Sequence, residues 1–197
     1  VNQGIVAAIN GNGGSSLNNY YPGTSNWENI KSTRVVIRNN SVSGVYKNGM
    51  IIRNTDETGL VEHNLLFNTA TGTTGNTIFT SSCRGTVFQY NEGYQNMAGS
   101  ARDGSLYDAD LRSPGIIFQY SYSHDNSHGL FWTYPSTDGA NSNVIVRYNI
   151  SRHDDGIRQS SIEADDVIEA HRLIGWIETL LETHGDKVLR VKGVLNI

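Results

Sequence analysis

The chain has 197 residues, which is enough for one domain and a small second one. Its formal net charge of −4 gives no reason to expect nucleic acid or an anionic membrane as a partner. No apolar run approaches the roughly 18 residues of a membrane-spanning helix. Cys83 is the single cysteine, which excludes an internal disulfide and a thiolate metal cluster.

Residues 1–32 are rich in Gly, Asn and Ser, a composition typical of loops. The stretch GIVAAI (4–9) is predicted to be a strand of an irregular first coil. GNGGSS (11–16) is a plain loop rather than a phosphate-binding loop, because no lysine follows it. Trp27 is expected either to stack on a sugar ring or to cap the core.

Five later stretches repeat one pattern. They read VVIRNNSVS (35–43), LVEHNLLF (60–67), VFQYNEGY (87–94), IFQYSYSH (117–124) and IVRYNISR (145–152). The same place in each is occupied in turn by Asn40, Asn64, Asn91, Ser121 and Asn149. A second register, opened by glycine, runs between them through Gly49, Gly75, Gly104, Gly129 and Gly156. Both registers recur roughly every 27 residues, and two interleaved registers of one mean period indicate repeat architecture.

Each repeat alternates apolar and polar residues and is rich in Val, Ile, Phe and Tyr, as strands are. No helical pattern separates the strands, so they are expected to be parallel and to stack as a solenoid. An asparagine at a fixed point of each turn fits a ladder of side-chain amides at the ~4.8 Å strand spacing. We predict an all-β right-handed parallel β-helix of about five coils over residues 1–156. An antiparallel sandwich would instead need tight hairpin signals every ~8–12 residues.

The stretch DGSLYDAD (103–110) places Asp108 and Asp110 two positions apart on a predicted strand. Alternate residues of a strand share a face and lie ~6.6 Å apart. If that face is outward, the pair is a candidate for Ca²⁺ binding or for acid and base catalysis on a polysaccharide. The structural alternative is that both carboxylates cap a turn or bond the ladder amides.

The next coil contains SHDNSHG (123–129), in which His124 is a candidate general acid or base and Asp125 a catalytic partner. The structural alternative is a turn histidine that bonds the backbone. Side chains on neighbouring coils that are candidates for substrate contact are Glu92, Arg102, His128, Trp132 and Tyr134.

Asn91-Glu92, DGSLYDAD, QYSYSHDN (119–126) and RYNIS (147–151) resemble a family of exported bacterial right-handed parallel β-helix proteins. The fold of this family is similar to that of pectate lyases, and the resemblance covers about residues 30–157. It implies a polysaccharide-active, secreted or cell-surface protein. It also implies a signature that contains Asp108, Asp110, His124, Asp125 and Asp103, the last a further candidate for substrate contact. Ser121 stands where the family has asparagine.

Residues 157–197 have a different composition. They predict a strand at 157–162, an amphipathic helix that ends at Gly185 and a strand at 188–197. This short α/β segment resembles part of the C-terminal domain of the CobW family of GTP-dependent metal chaperones, with LRVKGVLNI (189–197) as its clearest match. The chain contains no Walker motif, so the resemblance does not extend to GTP hydrolysis.

The sequence therefore predicts a protein that binds a polysaccharide or oligosaccharide and cleaves it by a lyase or hydrolase reaction. The alternatives are a non-catalytic, carbohydrate-binding or adhesive solenoid and a CobW-like interaction module without its GTPase domain. Ca²⁺ is the only cofactor that the residues suggest. Nucleic acid and a membrane span are not expected, and self-association would use the open ends of the solenoid.

Overall fold

A computed structural model of the chain describes residues 1–7, 21–99, 103–134 and 141–152. Every structural statement below refers to these ranges. The predicted α/β segment at 157–197 lies outside them and stays a prediction. Within the described ranges, no helix is long and apolar enough to cross a membrane.

The described chain is built almost entirely of short strands. In chain order they are β1 (Ile5–Ala7), β2 (Val36–Arg38), β3 (Ser41–Ser43), β4 (Met50–Arg53), β5 (Leu60–Glu62), β6 (Leu65–Thr69), β7 (Ile78–Ser81), β8 (Val87–Gln89), β9 (Glu92–Asn96), β10 (Ser105–Asp110), β11 (Ile117–Gln119), β12 (Tyr122–His124), β13 (Gly129–Tyr134), β14 (Ile145–Arg147) and β15 (Ile150–Arg152). One helix, α1 (Ser25–Ile30), accompanies them.

Each strand pairs with the strand three places before it in the chain, so the chain passes through three sheets in turn. The first sheet has the order β1-β4-β7-β10-β13, the second β2-β5-β8-β11-β14 and the third β3-β6-β9-β12-β15. All of these pairings are parallel. The predicted parallel β-solenoid is confirmed, with about four turns, and the antiparallel sandwich is excluded.

The core runs along the axis of the solenoid. In the first sheet, the register aligns Met50, Ile78, Tyr107 and Phe131 on four successive strands, and their side chains belong to one apolar cluster. The second sheet adds Phe88 and Phe118, whose ring centroids lie 5.0 Å apart. Burying one such side chain contributes about 1.5–3 kcal/mol. The stacked coils therefore stabilise one another rather than folding singly.

The asparagine repeat lies at the corner between the second and third sheets. Asn40 Nδ2 donates to Asn64 Oδ1 (2.9 Å), and Asn64 Nδ2 donates to Asn91 Oδ1 (3.0 Å). The residue before each ladder position has a positive φ between 53° and 57°, at Asn39, His63, Tyr90, Tyr120 and Tyr148. This left-handed residue turns the chain from one sheet into the next. The side-chain amides then bond neighbouring corners along the solenoid axis.

Ser121 interrupts the amide ladder, and a core tyrosine completes it. The hydroxyl of Tyr107 accepts from Asn91 Nδ2 (3.0 Å) and bonds Ser121 Oγ (2.7 Å). Ser121 Oγ in turn accepts from the backbone N–H of Asn91 (3.2 Å). The ladder continues where Asn149 Oδ1 accepts from the Ser121 N–H (2.8 Å). The phenol therefore fills the volume and the polar contacts that an asparagine side chain would supply.

Helix α1 departs from the loop expected over residues 1–32. Thr24 caps it, because its hydroxyl accepts from the N–H of Trp27 at 3.3 Å. The Trp27 side chain is fully buried, and its Nε1 donates to the carbonyl of Ser82 at 2.8 Å. Trp27 therefore covers the core from the side of the solenoid, and stacking on a sugar ring is wrong for this residue.

Candidate functional site

The outward face of the first sheet carries the residues around the predicted acid pair. Because successive strands are parallel and in register, outward side chains form columns along the solenoid axis. One column contains Ile51, Phe79, Asp108 and Trp132, and the next contains Arg53, Ser81, Asp110 and Tyr134. Each carboxylate therefore has an aromatic neighbour on the following strand, β13.

These columns border a cleft of about 310 Å³. Five predicted residues line it, namely Asp103, Asp108, Asp110, Trp132 and Tyr134. Four further lining residues are Lys47, Asn48, Arg53 and Phe79. The residues Trp132 and Tyr134 are 37% and 45% exposed, so both remain accessible from solvent.

Asp108 lies at the bottom of the cleft and is only 3% exposed. Its Oδ2 accepts from Asn76 Nδ2 at 2.7 Å, whereas its buried Oδ1 has no hydrogen-bond partner in the described part of the chain. Burial raises the pKa of Asp108 from 3.8 to about 8, and the negative charges of Asp110 and Asp103 add to the rise. Asp108 is therefore a neutral acid at pH 7.

Asp110 is half-buried at the end of the same strand. Burial raises its pKa from 3.8 to about 6, and the charge of Asp103 adds to this. The N–H of Leu111, which donates to Asp110 Oδ1 at 2.8 Å, and the positive charge of Arg53 act in the opposite direction. Between about pH 6 and pH 8, Asp110 is thus ionised while Asp108 keeps its proton.

A single amide fixes two of the three carboxyl groups. Asn76 Nδ2 donates to Asp108 Oδ2 at 2.7 Å and to Asp103 Oδ1 at 3.3 Å. Asn76 Oδ1 accepts from the N–H groups of Gly104 and Ser105 at 2.9 and 3.0 Å. The hydroxyl of Thr74 donates to the second oxygen of Asp103 at 2.8 Å. The turn before β10 and the acid on β10 are therefore positioned by one side chain.

Sequence reasoning missed Asn76. Its backbone N–H donates to Asn48 Oδ1 at 2.8 Å, and these two asparagines are 28 residues apart. That separation is close to the repeat, and both residues adjoin glycines of the second register, Gly49 and Gly75. Asn48 precedes its glycine whereas Asn76 follows its own, so the glycine register alone does not align the two amides.

The predicted catalytic histidine lies on another sheet. The ring of His124, on β12, bonds Glu92 Oε1 through Nε2 (3.1 Å) and Asp125 Oδ2 through Nδ1 (2.6 Å). The ring also stacks on Tyr94 and Tyr122, with centroids 4.6 and 4.4 Å away. Because β12 belongs to the third sheet, this cluster does not line the cleft. A catalytic role for it stays a prediction.

His128, a candidate for substrate contact, is not among the described residues that line the cleft. It lies beside the turn before β10, where its backbone N–H donates to the carbonyl of Gly104 at 3.2 Å. A methyl group added to Gly104 would come within 3.0 Å of His128 Nδ1, so the ring packs directly on this turn. Arg102 is outside the described residues.

The carboxylates do not assemble a calcium cage. Ca²⁺ takes about 6–8 oxygen ligands. In the described ranges, no three His, Cys, Asp or Glu side chains converge as a metal site requires. Both oxygens of Asp103 already accept hydrogen bonds, and one oxygen of Asp108 accepts from Asn76. The donor set does not fit the ion, and no step below is routed through a metal.

The fold and this face together define a parallel β-helix protein with an acidic, aromatic-walled cleft on one sheet. No family model matches the chain, so neither the β-helix resemblance nor the CobW resemblance gains support from one. No solved structure matches it significantly.

A lacto-N-biosidase of Bifidobacterium longum subsp. longum is 32% identical to this chain over a match that covers 62% of the chain. The matched region is 8% of that protein, so the chain spans less than a tenth of the relative.

Proposed function

We propose that the chain binds an oligosaccharide in the cleft of the first sheet and hydrolyses a glycosidic bond there. The observation that carries the proposal is a pair of carboxyl groups two positions apart on one strand, Asp108 and Asp110, which line one cleft together with Trp132 and Tyr134. Their raised pKa values, about 8 for Asp108 and about 6 for Asp110, support it. Two carboxyl groups with opposed protonation states at one site are the requirement of glycoside hydrolysis.

The raised pKa values support a division of roles between the two carboxyl groups. Asp108 is protonated at neutral pH and donates its proton to the oxygen of the leaving sugar. Asp110 is ionised and acts on the other reactant, either as a base towards water or as a nucleophile towards the anomeric carbon. The rate is expected to be highest between about pH 6 and pH 8, where both groups are in the required form.

The aromatic residues supply the sugar contacts. Trp132 is aligned with Asp108 and Tyr134 with Asp110, one strand away at the ~4.8 Å spacing of a sheet. Their half-exposed rings offer apolar faces for the C–H groups of a sugar, and their polar edges can still bond solvent. Phe79 gives a similar surface on the preceding strand.

The relative supports a carbohydrate substrate. Its name, lacto-N-biosidase, is that of a glycosidase, and the match covers 62% of this chain. Oligosaccharides that contain lacto-N-biose therefore belong in the substrate panel. A secreted or cell-surface location and self-association through the solenoid ends stay predictions.

The test is a panel of oligosaccharides with the purified chain, measured by the appearance of reducing ends. Asp108→Asn and Asp110→Asn are the informative variants, and Glu62→Gln is the matched control because Glu62 lies on the second sheet. We expect loss of at least about a hundredfold in rate for each aspartate variant and no change for the control. An ultraviolet-absorbing unsaturated product would instead indicate an elimination reaction.

One observation favours a non-catalytic carbohydrate-binding solenoid as the second candidate. Asp108 is nearly inaccessible and shares the Asn76 amide with Asp103, as a structural ladder residue would. In that case, Trp132→Ala weakens glycan binding while Asp108→Asn leaves it intact, and no substrate is turned over. Catalysis by the wild-type chain decides between the two candidates.

A further inference from the structure

Two cations line the cleft without an ion-pair partner among the described residues. Lys47 and Arg53 are both exposed, and neither side chain forms a salt bridge or side-chain hydrogen bond with a described residue. On other faces of the solenoid, Arg84 pairs with Glu57 at 3.0 Å, and Arg38 pairs with Glu62 at 3.5 Å. The cleft cations are therefore available to a ligand.

Their position relative to the acids is set by the strand register. Arg53 shares its column with Asp110, separated from it by the strand that carries Ser81. Two strand spacings amount to ~9.6 Å. Ser81, which lies between them in the column, is small and buried, so its side chain does not project between the cation and the carboxylate. The guanidinium of Arg53 lies 5.4 Å from the ring centre of Phe79, which supports it from the neighbouring column.

The cleft is consequently polarised along the solenoid axis. The aromatic residues Trp132 and Tyr134 lie on β13, the carboxyl groups of the acid pair on β10, and Arg53 on β4. Lys47 lies in the turn that leads into β4. A glycan that lies along the axis would place one sugar on the aromatic end and a neighbouring sugar between the acid pair and the two cations.

We propose that Lys47 and Arg53 form a subsite for an anionic substituent of the glycan, either a sugar carboxylate or a sulfate ester. The inference rests on the proposed function and adds the substrate class to it. Guanidinium binds planar carboxylates and sulfate oxygens in bidentate fashion, and lysine adds a point charge. No salt bridge joins either cation to Asp103, Asp108 or Asp110 within the described residues, and Arg53 acts on Asp110 only through its charge, which lowers the pKa of Asp110.

The experiment measures binding of matched ligands by calorimetry at low salt. The ligands are lactose, sialyllactose and sulfated lactose, so one neutral disaccharide carries in turn no charge, a carboxylate-bearing sugar and a sulfate ester. We expect the wild-type chain to prefer at least one anionic ligand about tenfold over lactose, as one charge-assisted contact would give. The preference should shrink as salt is added, because both cations are exposed.

The variants are Arg53→Gln and Lys47→Gln, with Arg38→Gln as the matched control on the second sheet. Each cleft variant should lose most of the anionic preference and keep its affinity for lactose, whereas the control should retain both. Circular dichroism checks that each variant is folded. Retained preference in Arg53→Gln and Lys47→Gln would overturn the subsite.

The same data separate this inference from the proposed function. Equal affinity for neutral and anionic ligands, together with hydrolysis of a neutral glycan, would overturn the subsite and leave the proposed function standing. Absence of any glycan binding by the folded chain would overturn both. Preference for the sulfated over the sialylated ligand would identify the sulfate ester as the substituent.

Discussion

Replacing Asp103 by Asn removes one negative charge from the cleft and is expected to move both limbs of the pH–rate profile to lower pH. The Asp103 and Asp108 oxygens that accept from Asn76 Nδ2 are 3.3 and 2.7 Å from that nitrogen. Two atoms that share one donor at those distances lie at most about 6 Å apart. Two unit charges at that separation repel by ~2.8 kcal/mol at an effective dielectric constant of ~20 and by ~0.7 kcal/mol in water.

For the alkaline limb, which depends on Asp108, these energies correspond to a displacement of about 0.5 to 2 pH units. Activity requires Asp108 to be protonated, so the alkaline limb follows the pKa of Asp108, which falls when a neighbouring negative charge is removed. Activity also requires Asp110 to be ionised, so the acid limb follows the pKa of Asp110 and moves in the same direction. Burial is the larger cause of both raised pKa values, and it remains in the variant.

The assay is the initial rate of reducing-end release from pH 4 to pH 10 for wild-type chain and for Asp103→Asn, with Glu62→Gln as the matched control. Limbs that stay at the same pH would refute the electrostatic coupling. Loss of activity at every pH, from a folded variant, would show that Asp103 itself reacts with the substrate and would refute the assignment of Asp108 as the acid.

Three further outcomes follow from the same geometry. Asp108→Asn should raise the free energy of unfolding by about 1–3 kcal/mol at pH 8 and by little at pH 4, measured by urea denaturation. The reason is that a raised carboxyl pKa makes the folded state lose stability between pH 4 and pH 8. An equal effect at both pH values would contradict the raised pKa of Asp108. Tyr107→Phe should lower the free energy of unfolding by about 1–3 kcal/mol, because Asn91 and Ser121 lose the hydroxyl to which they bond. The loss should be smaller when Ser121→Asn is added. An unchanged free energy of unfolding would refute the role of Tyr107 in the ladder. Trp132→Ala should raise KM several-fold and leave the pH limbs unchanged, measured by initial rates; unchanged KM would exclude it as a sugar platform.

The repeat could be predicted from the sequence because each coil carries its own strand pattern. The recurring position of Asn40, Asn64 and Asn91 predicted the amide ladder from the sequence alone, and the structure places that ladder at the corner between two sheets. Alternation also predicted that Asp108 and Asp110 share a face, and both line one cleft. The strands, the ladder position and the face on which a side chain lies could therefore be predicted wherever the repeat was regular.

The assembly of the cleft could not be predicted, because it depends on register across the first sheet. The loops before its strands differ in length, so spacing alone does not align Arg53 with Asp110. His124 follows Asp110 closely in the sequence, yet the intervening strand β11 and a left-handed corner residue at Tyr120 take it to the third sheet. Proximity in sequence was misleading where the chain changes sheets.

The roles of two polar side chains inside the solenoid also could not be predicted from the sequence. Tyr107 reads as an apolar strand residue, but its hydroxyl replaces the amide missing at Ser121. Asn76 reads as a turn residue, but it binds two carboxyl groups at once. Both roles depend on which side chain lies above or below, and a single coil does not contain that information.

A reducing-end assay on an oligosaccharide panel, with wild-type chain, Asp108→Asn, Asp110→Asn and Glu62→Gln side by side, decides whether the acid pair hydrolyses glycans. We predict hydrolysis by the wild type and the Glu62 variant, highest between about pH 6 and pH 8, and loss of at least about a hundredfold in both aspartate variants. Hydrolysis that survives either aspartate substitution, or a folded wild-type chain that binds glycans and cleaves none, would contradict the roles assigned to Asp108 and Asp110.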